Sequence, residues 1–216
     1  MVINLDDTNT VGKIFLTELR DAEIQKDSMR FRRNVERLSE ILAYEISKQL
    51  LYTPITVQTP LSEATGHKFK NNILIASILR AGLPMHTGFL NTFDKAENAF
   101  ISAYRMYNND GSFEIKFEYL SSPEIDKKIV ILVDPMLATG SSMIIAYKGL
   151  LEKGTPLHTH FVSIIASREG IEYVKQFIVN DNATIWTAAI DDDLTAKGYI
   201  VPGLGDAGDL AYGQKS

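Results

Sequence analysis

Residues 129–142 read IVILVDPMLATGSS: five apolar, mostly β-branched residues from Ile129 to Val133, then Asp134, Pro135, Met136 and Leu137, then the small residues Ala138, Thr139, Gly140, Ser141 and Ser142. The first five have the length and composition of a strand buried on both faces, and the stretch from Ser142 to Lys153, closed by Gly154, reads as a helix. In an open parallel sheet, the carboxyl end of a strand that feeds a helix is where ligands bind. Small residues there let several backbone N–H groups face outward together, and with the positive end of the helix they hold a phosphate without a cationic side chain. Thr139, Ser141 and Ser142 add hydroxyl groups. Asp134 stands beside that pocket, in reach of sugar hydroxyls or a hydrated metal ion. The plainer reading of the same residues is a strand-to-helix turn with a serine cap.

The rest of the chain repeats this alternation. Ile73–Leu79 is another continuous apolar run, followed by Arg80, Ala81, Gly82 and a weakly helical stretch to Phe93. Phe100–Tyr104 reads as a strand, and Phe113, Ile115, Phe117 and Tyr119 give the period of two of another. Phe161–Ala166 and Ala183–Ile190 complete the strands, with an amphipathic helix from Arg168 to Val179 between them. Runs buried on both faces and alternating with helices predict a mostly parallel sheet covered on both sides, an α/β fold. Upstream, Phe31, Val35, Leu38, Leu42 and Ile46 recur at helical spacing within Asp27–Leu50, with Asp27 or Ser28 as N-cap. Tyr52–Lys70, with Pro54, Pro60 and Gly66, reads as a short strand or a hairpin arm with turns.

The chain has 216 residues, which at roughly 100 to 200 residues per domain is one domain with trimmings or two small ones. With 45% hydrophobic and 23% charged residues it has the means to build a core, which excludes a disordered chain. The absence of Cys removes disulfides, thiolate metal sites and thiol nucleophiles. A net charge of -5 argues against a broad nucleic-acid surface but has no power against a small phosphorylated ligand. No signal-like N-terminus and no membrane-length apolar run are visible, so the expectation is a soluble, cytoplasmic protein.

The other polar positions carry weaker signals. Arg80 and Arg105 each close a strand; taken singly each reads as a solvated strand-end cation, whereas the two together at equivalent strand ends would form a clamp for a second phosphate group. His158 and His160 read as solvated residues at a strand entry rather than metal ligands, since no third ligand is in view. His67 and His86 are isolated. Asp191–Asp193 reads as an exposed acidic turn more economically than as a metal site. The tail from Asp191 to Ser216 holds five Gly and one Pro and no periodicity. That composition suits either a frayed end or a backbone folded tightly around a ligand. Its GLGDAG matches the dinucleotide pattern in letters only, because Pro202 precedes it and no βαβ unit can be built in the eight residues after Gly208.

DPMLATGSS, ILRAG, AYR and above all GYIVPGLGDAGD resemble the uracil phosphoribosyltransferase family in order and spacing, from LTELRD near Leu16 to the C-terminus. The resemblance implies a type I phosphoribosyltransferase fold in a single domain over residues 1–216. Residues 1–70 would supply N-terminal helices and a β-arm, 71–190 the α/β core, and 191–216 a hood over the base. It implies transfer of the phosphoribosyl group of 5-phosphoribosyl 1-diphosphate to uracil, giving UMP and diphosphate, with Mg²⁺ held mainly by substrate and water. It also implies a homodimer or higher homo-oligomer and admits a nucleotide effector.

By the same resemblance, Arg80 and Arg105 serve the diphosphate, while Asp134, Pro135, Met136, Leu137, Ala138, Thr139, Gly140, Ser141 and Ser142 serve the ribose and 5-phosphate. Tyr199, Ile200, Gly205, Asp206 and Ala207 serve uracil, Asp206 also reaching the donor. Asp134 and Asp206 are the catalytic candidates. The chain departs from the family pattern at Leu83-Pro84, at Ser141 and after Asp209. Two other readings remain from different classes: a non-catalytic nucleotide-sensing regulator, and an enzyme of the same fold acting on another base.

Overall fold

The computed structural model describes residues 1–107, 113–178 and 182–214, with side chains in all of these except 104–117. In chain order, β1 (Val2–Asn4), α1 (Gly12–Arg20) and α2 (Ser28–Ser47) lead into a hairpin of β2 (Tyr52–Gln58) and β3 (Glu63–Phe69). Then come β4 (Ile73–Leu79), α3 (Leu83–Thr92), β5 (Glu97–Tyr107), β6 (Phe113–Ser121), β7 (Ile129–Val133), the short β8 (Met136–Leu137) and α4 (Ser141–Leu151). The chain continues through β9 (His158–Ser167), α5 (Arg168–Lys175), β10 (Ala183–Asp191), β11 (Asp193–Leu194), β12 (Ile200–Val201) and α6 (Ala207–Tyr212).

Among the described residues the main sheet has the order β1-β10-β9-β7-β4-β5-β6, with β8 also beside β9. Its pairings are parallel except for the antiparallel β5–β6 edge. The apolar runs behave as the alternation demands. In β4, Ile73 and Ile75 enter one core while Leu74, Ala76 and Ile78 enter the other. The first core is closed by α1, α2 and α3, the second by α4 and α5. In α2, Val35, Leu38, Leu42 and Ile46 are each at most 1% exposed, and such side chains stabilise by about 1.5–3 kcal/mol apiece. Asp27 caps this helix, its Oδ1 accepting from the N–H groups of Met29 and Arg30.

The topology locates the site. From the adjacent strands β4 and β7 the chain departs in opposite senses: β4 leads through α3 to β5, and β7 leads through α4 to β9 and on to β10. Because α3 and α4 lie on opposite faces, the loops after Leu79 and Val133 splay apart and leave a crevice at the carboxyl ends of the strands. This is the switch point at which open α/β sheets bind ligands.

Several expectations need correction. Arg105 does not close its strand: β5 runs on to Tyr107 because β6 pairs with it there, and Leu79 at the end of β4 is in register with Ser102. The side chains of Arg105, Phe113, Ile115 and Phe117, and the whole of Val179, lie outside the described residues. His160 is not solvated but 2% exposed, packed on the α2 side of the sheet. Asp191 is not an exposed acidic turn but 7% exposed at the end of β10. The glycine-rich tail is not frayed, since it forms β11, β12 and α6. The sequence reading placed no strand at Val2–Asn4, which pairs in parallel with Ile185–Thr187 of β10. No helix among the described residues is long and apolar enough to cross a membrane.

Candidate active site

At the crevice, the loop after β7 is held rigidly from behind. Pro135 offers its carbonyl to the N–H groups of both Ile164 and Ile165, and Met136–Leu137 pair with Ile165–Ala166 as β8. Ser167 Oγ donates to the Ala138 carbonyl at 2.5 Å and accepts from Gly170 N–H at 2.8 Å. Gly140 then turns the chain into α4 at φ +79°, where a Cβ would lie 2.9 Å from Tyr173 Cδ1 and 3.0 Å from the Gly170 carbonyl. Only glycine takes this corner without strain. The helix therefore starts from a residue with no side chain to cap it, and the expected serine cap is absent. Thr139 and Ser141 hydroxyls meet at 3.2 Å instead. Ser141 has no positive φ, so its replacing a more usual glycine leaves the backbone unstrained.

Opposite this loop, Arg80 follows β4. Its Nη2 donates to the Gly213 carbonyl at 3.1 Å and approaches Asp209 Oδ1 at 3.5 Å, while its buried Nε has no partner. Ser77 Oγ and His86 Nδ1 lie 2.7 Å apart in the buried layer beneath, joining the strand before Arg80 to the helix after it. Burial holds the His86 imidazole below its usual range. Pro84 falls in the first turn of α3, where the missing N–H costs nothing.

The tail closes the third side. Asp206 caps α6, its Oδ1 accepting from Asp209 N–H at 3.0 Å. Gly205 sits at φ +91° and Gly203 at φ +59°. The Leu79–Arg80 and Val201–Pro202 peptide bonds are cis. At the root of the tail Arg20 donates through Nη1 and Nη2 to Asp191 at 2.8 Å each, and Nη1 also reaches the Gly203 carbonyl at 3.0 Å.

These three segments enclose a cleft of about 310 Å³. Of the residues singled out from the sequence, Arg80, Asp134, Met136, Ala138, Ser142, Tyr199, Ile200, Gly205, Asp206 and Ala207 line it. Pro135, Leu137, Thr139, Gly140 and Ser141 shape the loop without lining the cleft. Ala81, Gly198, Gly208 and Asp209 line it as well and were not foreseen. Arg20 and Asp191 were also missed as supports, although an Arg in LTELRD and an Asp at a strand end were both visible.

Among the described residues no group of three or more His, Asp or Glu side chains is placed to hold a metal ion. The carboxylates at the cleft, Asp134, Asp206 and Asp209, suit a hydrated Mg²⁺ bound chiefly through ligand oxygens, since that ion keeps several waters and accepts one or two carboxylates.

A mostly parallel sheet with a small-residue loop at its switch point and a folded hood over the crevice is the phosphoribosyltransferase arrangement. In fold it matches orotate phosphoribosyltransferase from Mycobacterium tuberculosis, solved in complex with 5-phospho-α-D-ribosyl 1-diphosphate, at a TM-score of 0.52, 9% identity and coverage of 87% of this chain and 94% of that one. The AQ2163 protein from Aquifex aeolicus is far nearer, with a TM-score of 0.88 and 30% identity over 99% of this chain and 98% of that chain. The family model described as uracil phosphoribosyltransferase matches residues 7–214. A protein named uracil phosphoribosyltransferase from Porphyromonas gingivalis is 54% identical over 214 residues, covering 99% of both chains. The chain belongs to the uracil phosphoribosyltransferase family.

Proposed function

We propose that this protein transfers the 5-phosphoribosyl group of 5-phosphoribosyl 1-diphosphate to uracil, releasing diphosphate and giving UMP. The observation that carries this reading is the convergence of three segments on one cleft: the 134–142 loop, the Arg80 loop and the Tyr199–Asp209 hood. At its edge, beside Ala138 and Ser142, the 5-phosphate takes the backbone N–H groups and hydroxyls of the 138–142 turn at the start of α4, where no cation is needed. Arg80 exchanges its contact with the Gly213 carbonyl for diphosphate oxygens, joined by Arg105.

The base lies under the hood. Uracil presents an N–H and a carbonyl on one edge, and the backbone around Ile200, Gly205 and Ala207 offers fixed complements, with Tyr199 against the ring. A cytosine inverts that edge and leaves buried groups unpaired, a penalty that discriminates strongly. Displacement at the anomeric carbon builds positive charge on the ribose. Asp134 and Asp206, on opposite walls of the cleft, stabilise it electrostatically while their loops hold the reactants in line. Asp134 and Asp206 would steady the hydration shell of a Mg²⁺ bound chiefly by the donor's oxygens, which would supply charge neutralisation of the leaving diphosphate.

Among the described residues the β2–β3 hairpin pairs only within itself, and it exposes Tyr52, Val57 and Leu61, which suits an arm that reaches a second copy in a homodimer. A multiply charged donor does not cross membranes unaided, which suits a cytoplasmic enzyme. A nucleic-acid-binding regulator is disfavoured by the engagement of the basic residues clustered at Arg30, Arg32 and Arg33. Arg30 pairs with Glu18, Arg33 with Glu36, and Arg32 donates to the Ala211 carbonyl.

The test is turnover of donor and Mg²⁺ with uracil, orotate, hypoxanthine or adenine supplied singly. UMP should form with uracil and no nucleotide with the others. Donor binding without turnover on uracil would transfer the case to a regulator.

A further inference from the structure

A second cavity, of about 330 Å³, opens at the other end of the sheet. Its walls include Ile73, Ile129 and His158, the first residues of β4, β7 and β9. The cleft, by contrast, borders Leu79 and Asp134 at the far ends of β4 and β7. The seven residues of β4 put the two about 20 Å apart. Nothing in the proposed reaction uses this second cavity.

Its polar groups are few, and several are only partly used. His160, 2% exposed, lines it, and its Nδ1 accepts from Trp186 Nε1–H at 3.1 Å. A neutral imidazole that accepts at Nδ1 carries its proton on Nε2. Burial pushes this ring's pKa down to about 3, so it is neutral near physiological pH. Among the described residues no acceptor meets that Nε2–H, and the side-chain amides of Gln49 and Asn71, also in the lining, make no hydrogen bond. His158 also lines it, its Nε2 meeting Thr184 Oγ1 at 3.0 Å; the remaining walls are apolar, Leu50 and Phe69 among them, and no Lys, Arg, Asp or Glu side chain lines the cavity. An apolar hollow with a few convergent polar groups is the general form of a small-molecule site, and this volume falls at the lower end of the range of roughly 300–1,000 Å³.

We propose that this cavity is a second small-molecule site, specific for an uncharged heteroaromatic molecule that places a ring acceptor on His160 Nε2–H and a donor–acceptor edge on the amides of Gln49 and Asn71. A phosphorylated ligand is disfavoured, since no Lys or Arg side chain lines the cavity to compensate its charge. The ligand sits against the amino ends of the two strands whose carboxyl ends carry Arg80 and Asp134.

Trp186 is the only tryptophan of the chain, so its indole N–H gives one resolved NMR resonance one hydrogen bond from the site. Guanosine, adenosine, cytidine and thymidine serve as uncharged probes and benzyl alcohol as an apolar control, each titrated to millimolar levels with and without saturating UMP. At least one nucleoside should displace the Trp186 resonance saturably in both conditions. Leu157→Phe, which fills the rim, and Asn71→Ala, which removes an amide, should each weaken that binding at least about tenfold. Absence of displacement by every nucleoside overturns the proposal. So does displacement abolished by UMP, equalled by benzyl alcohol, or unchanged in both variants. Should Leu157→Phe fail to fold, Asn71→Ala carries the comparison alone.

Discussion

Arg20 and Asp191, 171 residues apart, form a two-pronged ion pair with both N···O distances at 2.8 Å. The pair ties three things together. Arg20 ends α1, Asp191 ends β10, and both bond to Gly203 in the hood: Arg20 Nη1 to its carbonyl at 3.0 Å, Asp191 Oδ2 from its N–H at 2.9 Å. A Cβ at Gly203 would come within 2.1 Å of the Ile200 carbonyl oxygen, so this turn has one admissible residue and one admissible path. The hood over the cleft thus takes its position from a salt bridge outside the cleft.

Arg20→Gln is expected to destabilise the protein by about 3 kcal/mol, the low end for breaking a buried pair, because Asp191 is left charged and only partly compensated by Gly203. In the protein that still folds, KM for uracil should rise several-fold more than KM for the donor, since the hood and not the phosphate loop is loosened. Steady-state kinetics with each substrate varied in turn checks this. Equal changes in both constants would deny the pair a role in placing the base.

Asp206 has two roles that one substitution separates. Its Oδ1 caps α6 through Asp209 N–H, and its carboxylate lines the cleft. Asparagine caps helices about as well as aspartate, so Asp206→Asn should leave thermal stability within about 0.5 kcal/mol of the parent. Turnover should fall roughly 10²–10³-fold if the lost charge stabilises the transition state. Unchanged kcat would remove Asp206 from the chemistry.

The elements that could be read from the chain were those whose burial is two-sided or strictly periodic. Ile73–Leu79 and Ile129–Val133 are strands over those residues, and α2 carries its apolar stripe from Phe31 to Ile46. What escaped is whatever owes its structure to a distant partner. Val2–Asn4 is too short to show a period and is a strand only because β10 offers a free edge. The six residues of α6 include Gly208 and show no stripe. Arg105 lies within β5 rather than at its end because β6 folds back along it. Asp191 stands beside two other aspartates, and only Arg20, far away in sequence, makes it a buried residue. In the site, the small-residue loop announced itself by composition, whereas Gly198, Gly208 and Asp209 reach the cleft only once the tail is folded.

Gly140→Ala should show how much the phosphate loop depends on its corner. A left-handed backbone costs an alanine about 1–2 kcal/mol, and the contact of 2.9 Å with Tyr173 adds to it. Relief requires α4 to shift away from α5, which moves the N–H groups of residues 140–142 off the proposed 5-phosphate position. A lowered melting temperature together with a KM for the donor raised at least about tenfold is expected, with KM for uracil little altered. Loss of stability with unchanged donor affinity would mean that the corner only supports the fold.

Acid should weaken the fold at a higher pH than its carboxylates alone would dictate. Burial holds His86, His158 and His160 all below the ordinary histidine value of 6.5, His160 at about 3. In the unfolded chain these rings take up protons near 6.5, while the folded chain refuses them. Between that value and the folded ones the unfolded state binds more protons, so stability is full above 6.5 and declines as pH falls through the window. Denaturant midpoints measured from neutral to mildly acid pH should fall accordingly. His160→Gln keeps an acceptor for Trp186 Nε1–H and removes the titrating ring. It should lower stability at neutral pH yet flatten the acid decline, and an unchanged slope would show that His160 is not its source.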